Sequence, residues 1–366
     1  MSTASDSVCD TSALVTYTKS GETHQSASST SNEEYDLLDF LGVAQSLKID
    51  FLPITWQPAL GKVGEGGTAV IYQALVNIQA TFTFKRLEPS QSAMRKARNL
   101  RALIAEISIL GHPAIRYHPN VANIEGICWD VVDGGEEVWP VLVLEKTRCG
   151  DLKRFMTSSS GKELDSKNRL DMLFDVALAV RDLHATGRFS IPPLLATLLS
   201  EKGVIHGDIK PENILVSSEN EARHVAKVTD FGYSTLFSTD THPITMPESG
   251  IWTAPERHHR EILPREARKM DAYSFGMLCL WLLFFNKGTN RDRNFEKNLE
   301  DSQKKVSDYA SELLRASSDL DSREKNDMQK LFRSTIVKDS AERTANFDEL
   351  LQLLSPYRPV KSLHSK

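Results

Sequence analysis

A chain of 366 residues with 40% hydrophobic and 25% charged side chains has the balance of a globular protein and length enough for one large or two ordinary domains. Its formal net charge of -5 gives no overall attraction to nucleic acid or to an anionic membrane surface, so neither is expected as a partner. Cys9, Cys128, Cys149 and Cys279 stand without CxxC spacing, which speaks against a zinc site or disulfide framework and fits a reducing compartment.

Residues 1–32 are dominated by Ser, Thr and other small polar groups, too few large apolar ones to offset the entropy of ordering, and predict a disordered tail. Next, Tyr35, Leu37, Leu38, Phe40, Leu41, Val43, Ala44 and Leu47 fall at mixed helical spacing. The segment 33–55 is therefore expected to be an extension packed on the domain that follows, with docking of a partner as the second reading. From Trp56 to Leu87 the pattern is strand, glycine turn, strand, short connection, strand. The turn runs Gly64-Glu65-Gly66-Gly67-Thr68-Ala69-Val70-Ile71, and its glycines let backbone amides approach phosphate oxygens with no Cβ in the way. Taken alone, it reads better as a hairpin turn.

Lys85 closes the apolar strand Phe82-Thr83-Phe84, which argues against a surface lysine. Leu100, Leu103, Ile104, Ile107 and Leu110 form the stripe of an amphipathic helix over Met94–Leu110, with Glu106 beside it. Arg95, Lys96, Arg98 and Arg101 on that helix read as its solvated face. Pro140 to Glu145 is a buried-strand pattern, followed by a connector through Thr147 and then a helix over Asn168–His184. The run 185–202 is unusually apolar for a connection. Phe275 to Phe285 is the longest apolar run, well short of the ~20 residues that cross a bilayer, and predicts a buried helix.

The densest chemistry lies in His206-Gly207-Asp208-Ile209-Lys210-Pro211-Glu212-Asn213, a polar loop running into the β-type segment Ile214-Leu215-Val216. If the loop folds back on itself, the carboxylate can accept a hydroxyl proton, the ammonium can neutralise a phosphoryl group and the amide oxygen can hold a hard cation. Downstream stand Asp230-Phe231-Gly232, Ala254-Pro255-Glu256, Asp271 at the start of the apolar helix, and Arg343.

In this order and spacing, the motifs from Trp56 to Leu354 resemble the eukaryotic protein kinases. That resemblance implies an α+β, bilobal fold: a kinase domain at 56–354, with a small β-rich lobe at 56–147, a larger mainly helical lobe at 148–354 and a tail at 355–366. It implies ATP and Mg2+ as cofactors and protein substrates as partners. The nucleotide would lie under Gly64, Glu65, Gly66, Gly67, Ala69 and Ile71, against Thr83 where the family usually has alanine. Lys85 paired with Glu106 would hold its phosphates. Leu144 would be the gatekeeper, the backbone from Glu145 to Thr147 would meet the adenine, and Leu215 completes the nucleotide set.

By the same resemblance Asp208 is the catalytic base, Lys210 its cationic partner, and Asn213 and Asp230 the magnesium ligands. Ser249 would contact the catalytic loop, Asp271 support it, and Arg343 pair with Glu256. Lys210-Pro211-Glu212-Asn213 resembles the Ser/Thr type, and Asp271-Ala272-Tyr273-Ser274-Phe275-Gly276 hints at the tyrosine-kinase-like branch. The flanks of 185–202 nearly abut in the family, so the segment reads either as a docking insertion for a regulatory partner or as translated intron sequence. Gly207 replaces an arginine that in much of the family ties the loop to a phosphate on the activation segment. Activity is therefore expected to depend weakly on phosphorylation of Ser234, Thr235, Ser238, Thr239, Thr241 or Thr245. A cytoplasmic location is expected, with access to the nucleus left open. An inactive scaffold that binds ATP and partner proteins, or a small-molecule kinase on a related fold, are the competing readings.

Overall fold

The computed structural model describes residues 36–56, 61–65, 69–75, 81–87, 92–132, 137–186, 203–220, 223–237, 244, 246–258, 262–285, 299 and 305–358. The tail at 1–32, residues 187–202 of the insertion, Gly66, Gly67, the hydroxyl residues Ser238, Thr239, Thr241 and Thr245, and residues 359–366 lie outside them.

Helix α1, Leu37–Ser46, starts where the Asp36 carboxylate accepts the amides of Leu38 and Asp39 while the Asp39 carboxylate accepts the amide of Asp36. Lys48 takes the left-handed backbone, φ +53°, and turns the chain into strand β1, Phe51–Thr55. The sheet thus begins five residues ahead of Trp56, inside the segment read from sequence as a packing extension.

Strands β2 (Gly61–Glu65), β3 (Ala69–Leu75) and β4 (Thr81–Leu87) follow, then helix α2 (Ala93–Leu110) and strands β5 (Ile124–Val132) and β6 (Glu137–Glu145). Among the described residues these six strands form one sheet, in the order β1-β5-β6-β4-β3-β2. Only β1 and β5 pair in parallel, and the other neighbours are antiparallel. Strand β4 lies inside the sheet with Lys85 between Ile71 and Leu142, which explains why this lysine is buried.

After Glu145 the chain is mainly helical. Helices α3 (Leu152–Thr157) and α4 (Ser159–Lys162) precede α5 (Ser166–Ala185), whose N-cap Asp165 accepts the Asn168 amide. Strand β7 (Gly203–Ile205) pairs with β10 (Thr235–Phe237), and between them β8 (Ile214–Asn220) and β9 (Arg223–Val228) form a hairpin on α5. Helix α6 (Pro264–Phe284) is the axis of this lobe: every residue from Met270 to Phe284 is buried, as the apolar run predicts. Its last carbonyls do not go unpaired, because the buried Arg169 of α5 donates to Leu282 O at 2.7 Å and Phe285 O at 2.9 Å. Helices α7 (Val306–Ala316), α8 (Ser322–Thr335) and α9 (Phe347–Leu354) complete the lobe. Among the described residues no helix is long and apolar enough to cross a membrane. The result is the expected α+β, two-lobed arrangement, a small sheet-based lobe followed after Glu145 by a larger helical one.

Candidate active site

The loop between β7 and β8 is fixed from below before it presents any chemistry. Asp271, in the second turn of α6, accepts the amides of His206 at 2.9 Å and Gly207 at 2.8 Å, and His184 Nε2 lies 2.8 Å from the same carboxylate. Within the loop, His206 Nδ1 accepts the Asp208 amide at 3.2 Å, and its Nε2 lies 3.1 Å from the Thr229 carbonyl. Pro211 then starts a single helical turn, Pro211–Asn213, that folds the loop back on itself.

Folding back brings the predicted set together. Lys210 Nζ lies 2.7 Å from Asp208 Oδ2, and Asn213 Nδ2 donates to the same oxygen at 2.9 Å and to the Asp208 carbonyl at 2.8 Å. Ser249 Oγ donates to Asp208 Oδ1 at 2.5 Å. The carboxylate is nearly buried, so these donors replace water and hold both oxygens in fixed directions. Beside it, Met246, Pro247, Ser249, Trp252 and Met270 line a small pocket.

A second cluster forms on Lys85. Its Nζ lies 2.8 and 2.6 Å from the two oxygens of Glu106 and 2.7 Å from Asp230 Oδ1. Burial alone would lower the lysine pKa, but the carboxylates of Asp230 and Glu106 outweigh it and hold the ammonium above its ordinary value. For Asp230 burial works upward, and the ammonium overcomes it to bring the carboxyl down to about 2. Burial pushes Glu106 up against the pull of the same ammonium. The cluster is ionic because one cation sits within 2.8 Å of two carboxylates. Asp230 itself is left-handed, φ +64°, a cost that the surrounding contacts must offset. Phe231 is fully buried, edge-on to the His206 ring at 5.2 Å, and so ties this turn to the Asp208 loop.

The β8–β9 hairpin joins the two clusters. Ile214 pairs with Val228, and the Thr229 amide donates to the Asn213 carbonyl at 3.0 Å, which sets Asn213 and Asp230 at the same open end. Gly66 and Gly67 lie outside the described residues, and the other predicted residues take their places in the strands and the connector. Gly64 pairs with Ile71 and Glu65 with Val70, with Ala69 beside them at the start of β3. Thr83 pairs with Leu144, and Leu215 pairs with Lys227, both half-buried. Thr147 is buried, its hydroxyl 3.4 Å from the Gly150 carbonyl. At Glu145 the amide already donates to the Asn123 carbonyl at 3.0 Å, and the side chain pairs with Lys227 at 2.7 and 2.8 Å. That ion pair has no signal in the sequence, since its partners lie 82 positions apart and no motif links them. The His184 contact to Asp271 escaped for the same reason, at a separation of 87.

Gly207 has φ +81°, and a Cβ built there would meet the Met246 sulfur and the Tyr233 carbonyl, each at 3.4 Å. Ser234 donates to the His206 carbonyl at 2.9 Å and is buried, so it is not an accessible hydroxyl. Arg343 reaches Glu256 through both terminal nitrogens.

The family model described as protein kinase domain matches residues 58–354. The chain is 32% identical over 227 residues to the calmodulin-binding receptor-like cytoplasmic kinase 2 of Arabidopsis thaliana, covering 61% of this chain and 48% of that one. It is 30% identical over 236 residues to the probable serine/threonine-protein kinase pats1 of Dictyostelium discoideum, 62% of this chain and 6% of that one. To the receptor-like kinase TMK2 of Arabidopsis thaliana it is 29% identical over 240 residues, 64% and 24%. The chain spans less than half the length of each of these relatives. With the family model running from β2 to the end of α9, across both clusters and the elements that hold them, the chain belongs to the protein kinase domain family.

Proposed function

We propose that the chain transfers the γ-phosphoryl group of Mg-ATP to Ser or Thr hydroxyls of protein substrates. The observation that carries this reading is the Asp208 carboxylate, which receives donors from Lys210, Asn213 and Ser249 while Lys85 is clamped between Glu106 and Asp230. Asp208 is placed to orient a substrate hydroxyl and accept its proton as the oxygen bonds to phosphorus. Lys85, held by Glu106, binds phosphate oxygens, and Lys210 offsets charge near the transferred group. The transition state is loose, so the work is positioning and electrostatics.

The donor chemistry suits magnesium. Asp230 offers a carboxylate of low pKa, and the Asn213 amide nitrogen is turned to Asp208, which leaves its oxygen for a cation. Among the described residues no cluster of three or more His, Cys, Asp or Glu could hold a metal. Two oxygen ligands plus substrate phosphates are what magnesium ordinarily takes. Bound there, it would offset charge on the phosphates.

Ser/Thr selectivity is supported by Lys210 and Ser249 on the two oxygens of Asp208, and by the name of the Dictyostelium discoideum relative. The Ala254-Pro255-Glu256 stretch, held by Arg343 on Glu256, favours a peptide over a small-molecule acceptor. A cytoplasmic location accords with the free thiols of Cys128, Cys149 and Cys279. The purified chain should label Ser and Thr of a generic protein substrate from γ-labelled Mg-ATP, and Lys85→Met should abolish labelling without changing the circular dichroism. Labelling that survives Lys85→Met, or that falls on Tyr, refutes the reading. Wild-type protein that binds Mg-ATP but transfers nothing is the inactive scaffold instead.

With glycine at 207 and Met246 against it, no side chain there can meet an activation-segment phosphate. Phosphatase treatment should therefore lower activity by no more than about fivefold, the worth of one exposed ion pair. A much larger loss, reproduced by alanines at the activation-segment hydroxyls, would contradict this.

A further inference from the structure

We propose that the segment from Asp36 to Thr55 is a built-in brace on α2, and that Phe40 and Arg116 are positioning residues for the Lys85–Glu106 pair. The brace itself stands on packing alone, and its effect on rate rests on the phosphoryl-transfer reading.

A helix laid on one sheet buries the stripe that faces the sheet and leaves the opposite side wet. The end of α2 departs from this: from Leu103 to Leu110 every residue except Ala105 is buried. Helix α1 packs against α2 with Phe40 and Ala44 fully buried, and Leu47 and Ile49 join the same apolar cluster as Leu103, Ile107 and Leu110. The approach is close enough that a Cβ on Gly111, at the end of α2, would come within 3.1 Å of Leu47 Cβ and Ile49 Cδ1.

Two polar ties fix the segment in place. Arg116, in the loop after α2, donates to the Leu47 carbonyl at 3.1 Å and the Lys48 carbonyl at 3.0 Å, the free end of α1. On the other side β1 lies along β5, with the Ile127 amide donating to the Asp50 carbonyl at 2.9 Å. The segment therefore grips both α2 and the sheet that carries Lys85. Withdrawing Glu106 from Lys85 requires α2 to shift against that sheet, and the shift must pull α1 off α2 or β1 off β5.

The test compares Phe40→Ala, Phe40→Leu and Arg116→Ala with a control, Leu354→Ala in α9, whose thermal midpoint falls comparably. In the braced protein, Phe40→Ala and Arg116→Ala speed hydrogen exchange of the 103–110 amides, Leu354→Ala does not, and Phe40→Leu restores protection. The same two variants lower kcat/KM for ATP by about 2- to 30-fold, the range for changes that act on coupling without touching a ligand. That loss vanishes in a Glu106→Gln background, where there is no ion pair left to position. Unchanged exchange in folded Phe40→Ala, equal loosening in Leu354→Ala, or full additivity with Glu106→Gln overturns the proposal. If Phe40→Ala does not fold, Arg116→Ala, which removes two hydrogen bonds and a contact with the Tyr117 ring at a half-buried site, decides by the same readings. A wild type that transfers no phosphate sinks the phosphoryl-transfer reading, and the exchange pattern still decides the brace.

Discussion

Asp208→Asn lowers kcat for phosphoryl transfer by about 10²- to 10⁴-fold, the usual worth of a positioned proton acceptor, and leaves the KM for ATP and the fold near wild type. The change is isosteric, so the backbone contacts that shape the loop are untouched: Asp271 still accepts the His206 and Gly207 amides, and Asn213 still donates to the carbonyl of residue 208. An amide oxygen directed at Lys210 and Asn213 keeps both contacts, and the Ser249 hydroxyl can rotate to accept from the new nitrogen. What disappears is the negative charge and the capacity to take a proton. Nucleotide contacts proposed for Lys85, Asp230 and the strands around Thr83 lie outside the change. Steady-state kinetics on the purified variant, with circular dichroism and a thermal melt beside them, check it. Turnover within a few-fold of wild type would remove Asp208 from the chemistry.

The parts of the site legible in the sequence are those whose partners are close along the chain. Asp208, Lys210 and Asn213 lie within one loop, and Pro211 and the β-type run after it already require that loop to turn. The stripe on α2 predicted the helix, while Glu106, beside the stripe and buried in the structure, was singled out only by the family resemblance. Contacts that cross the chain left no such trace in the residues themselves, and only the family resemblance supplied those it names, such as Arg343 with Glu256. Lys227 reads as an exposed residue of a hairpin until Glu145 is found beside it, and Arg169 reads as an ordinary helix arginine until the end of α6 arrives above it. Strand β1 was hidden for a local reason: Pro53 at its centre removes an amide and demotes the run Phe51–Thr55 as a strand. An edge position accommodates it, and β1 is an edge strand. The left-handed turn at Lys48 that releases it from α1 has no glycine or asparagine to announce it.

Arg343→Ala destabilises the protein by about 3 to 5 kcal/mol, the cost of leaving one half of a buried pair behind. Few charged side chains here are as enclosed: the Arg343 side chain is 0% exposed and that of Glu256 15%. The guanidinium meets both Glu256 oxygens, donates to the Val337 carbonyl at 2.8 Å and the Lys269 carbonyl at 3.2 Å, and lies 4.9 Å from the centre of the Tyr273 ring. Alanine strands a carboxylate and two carbonyls together, so the loss exceeds that of an exposed ion pair. At about 1.6 °C per kcal/mol for a domain of about 300 residues, the midpoint falls by roughly 5 to 8 °C. Arg343→Lys keeps the charge but not the planar fork, and falls between. Adding Glu256→Ala to Arg343→Ala recovers part of the loss, because the stranded charge goes with it. Calorimetry on the four proteins measures the coupling, and a single-variant drop under about 2 °C would mean the pair is already solvated. The consequence reaches the chemistry as well, since Glu256 closes the stretch that carries Ser249 and Trp252 beside Asp208. Arg343→Ala should therefore lose activity in step with its stability, and cooling below its lowered midpoint should restore both together.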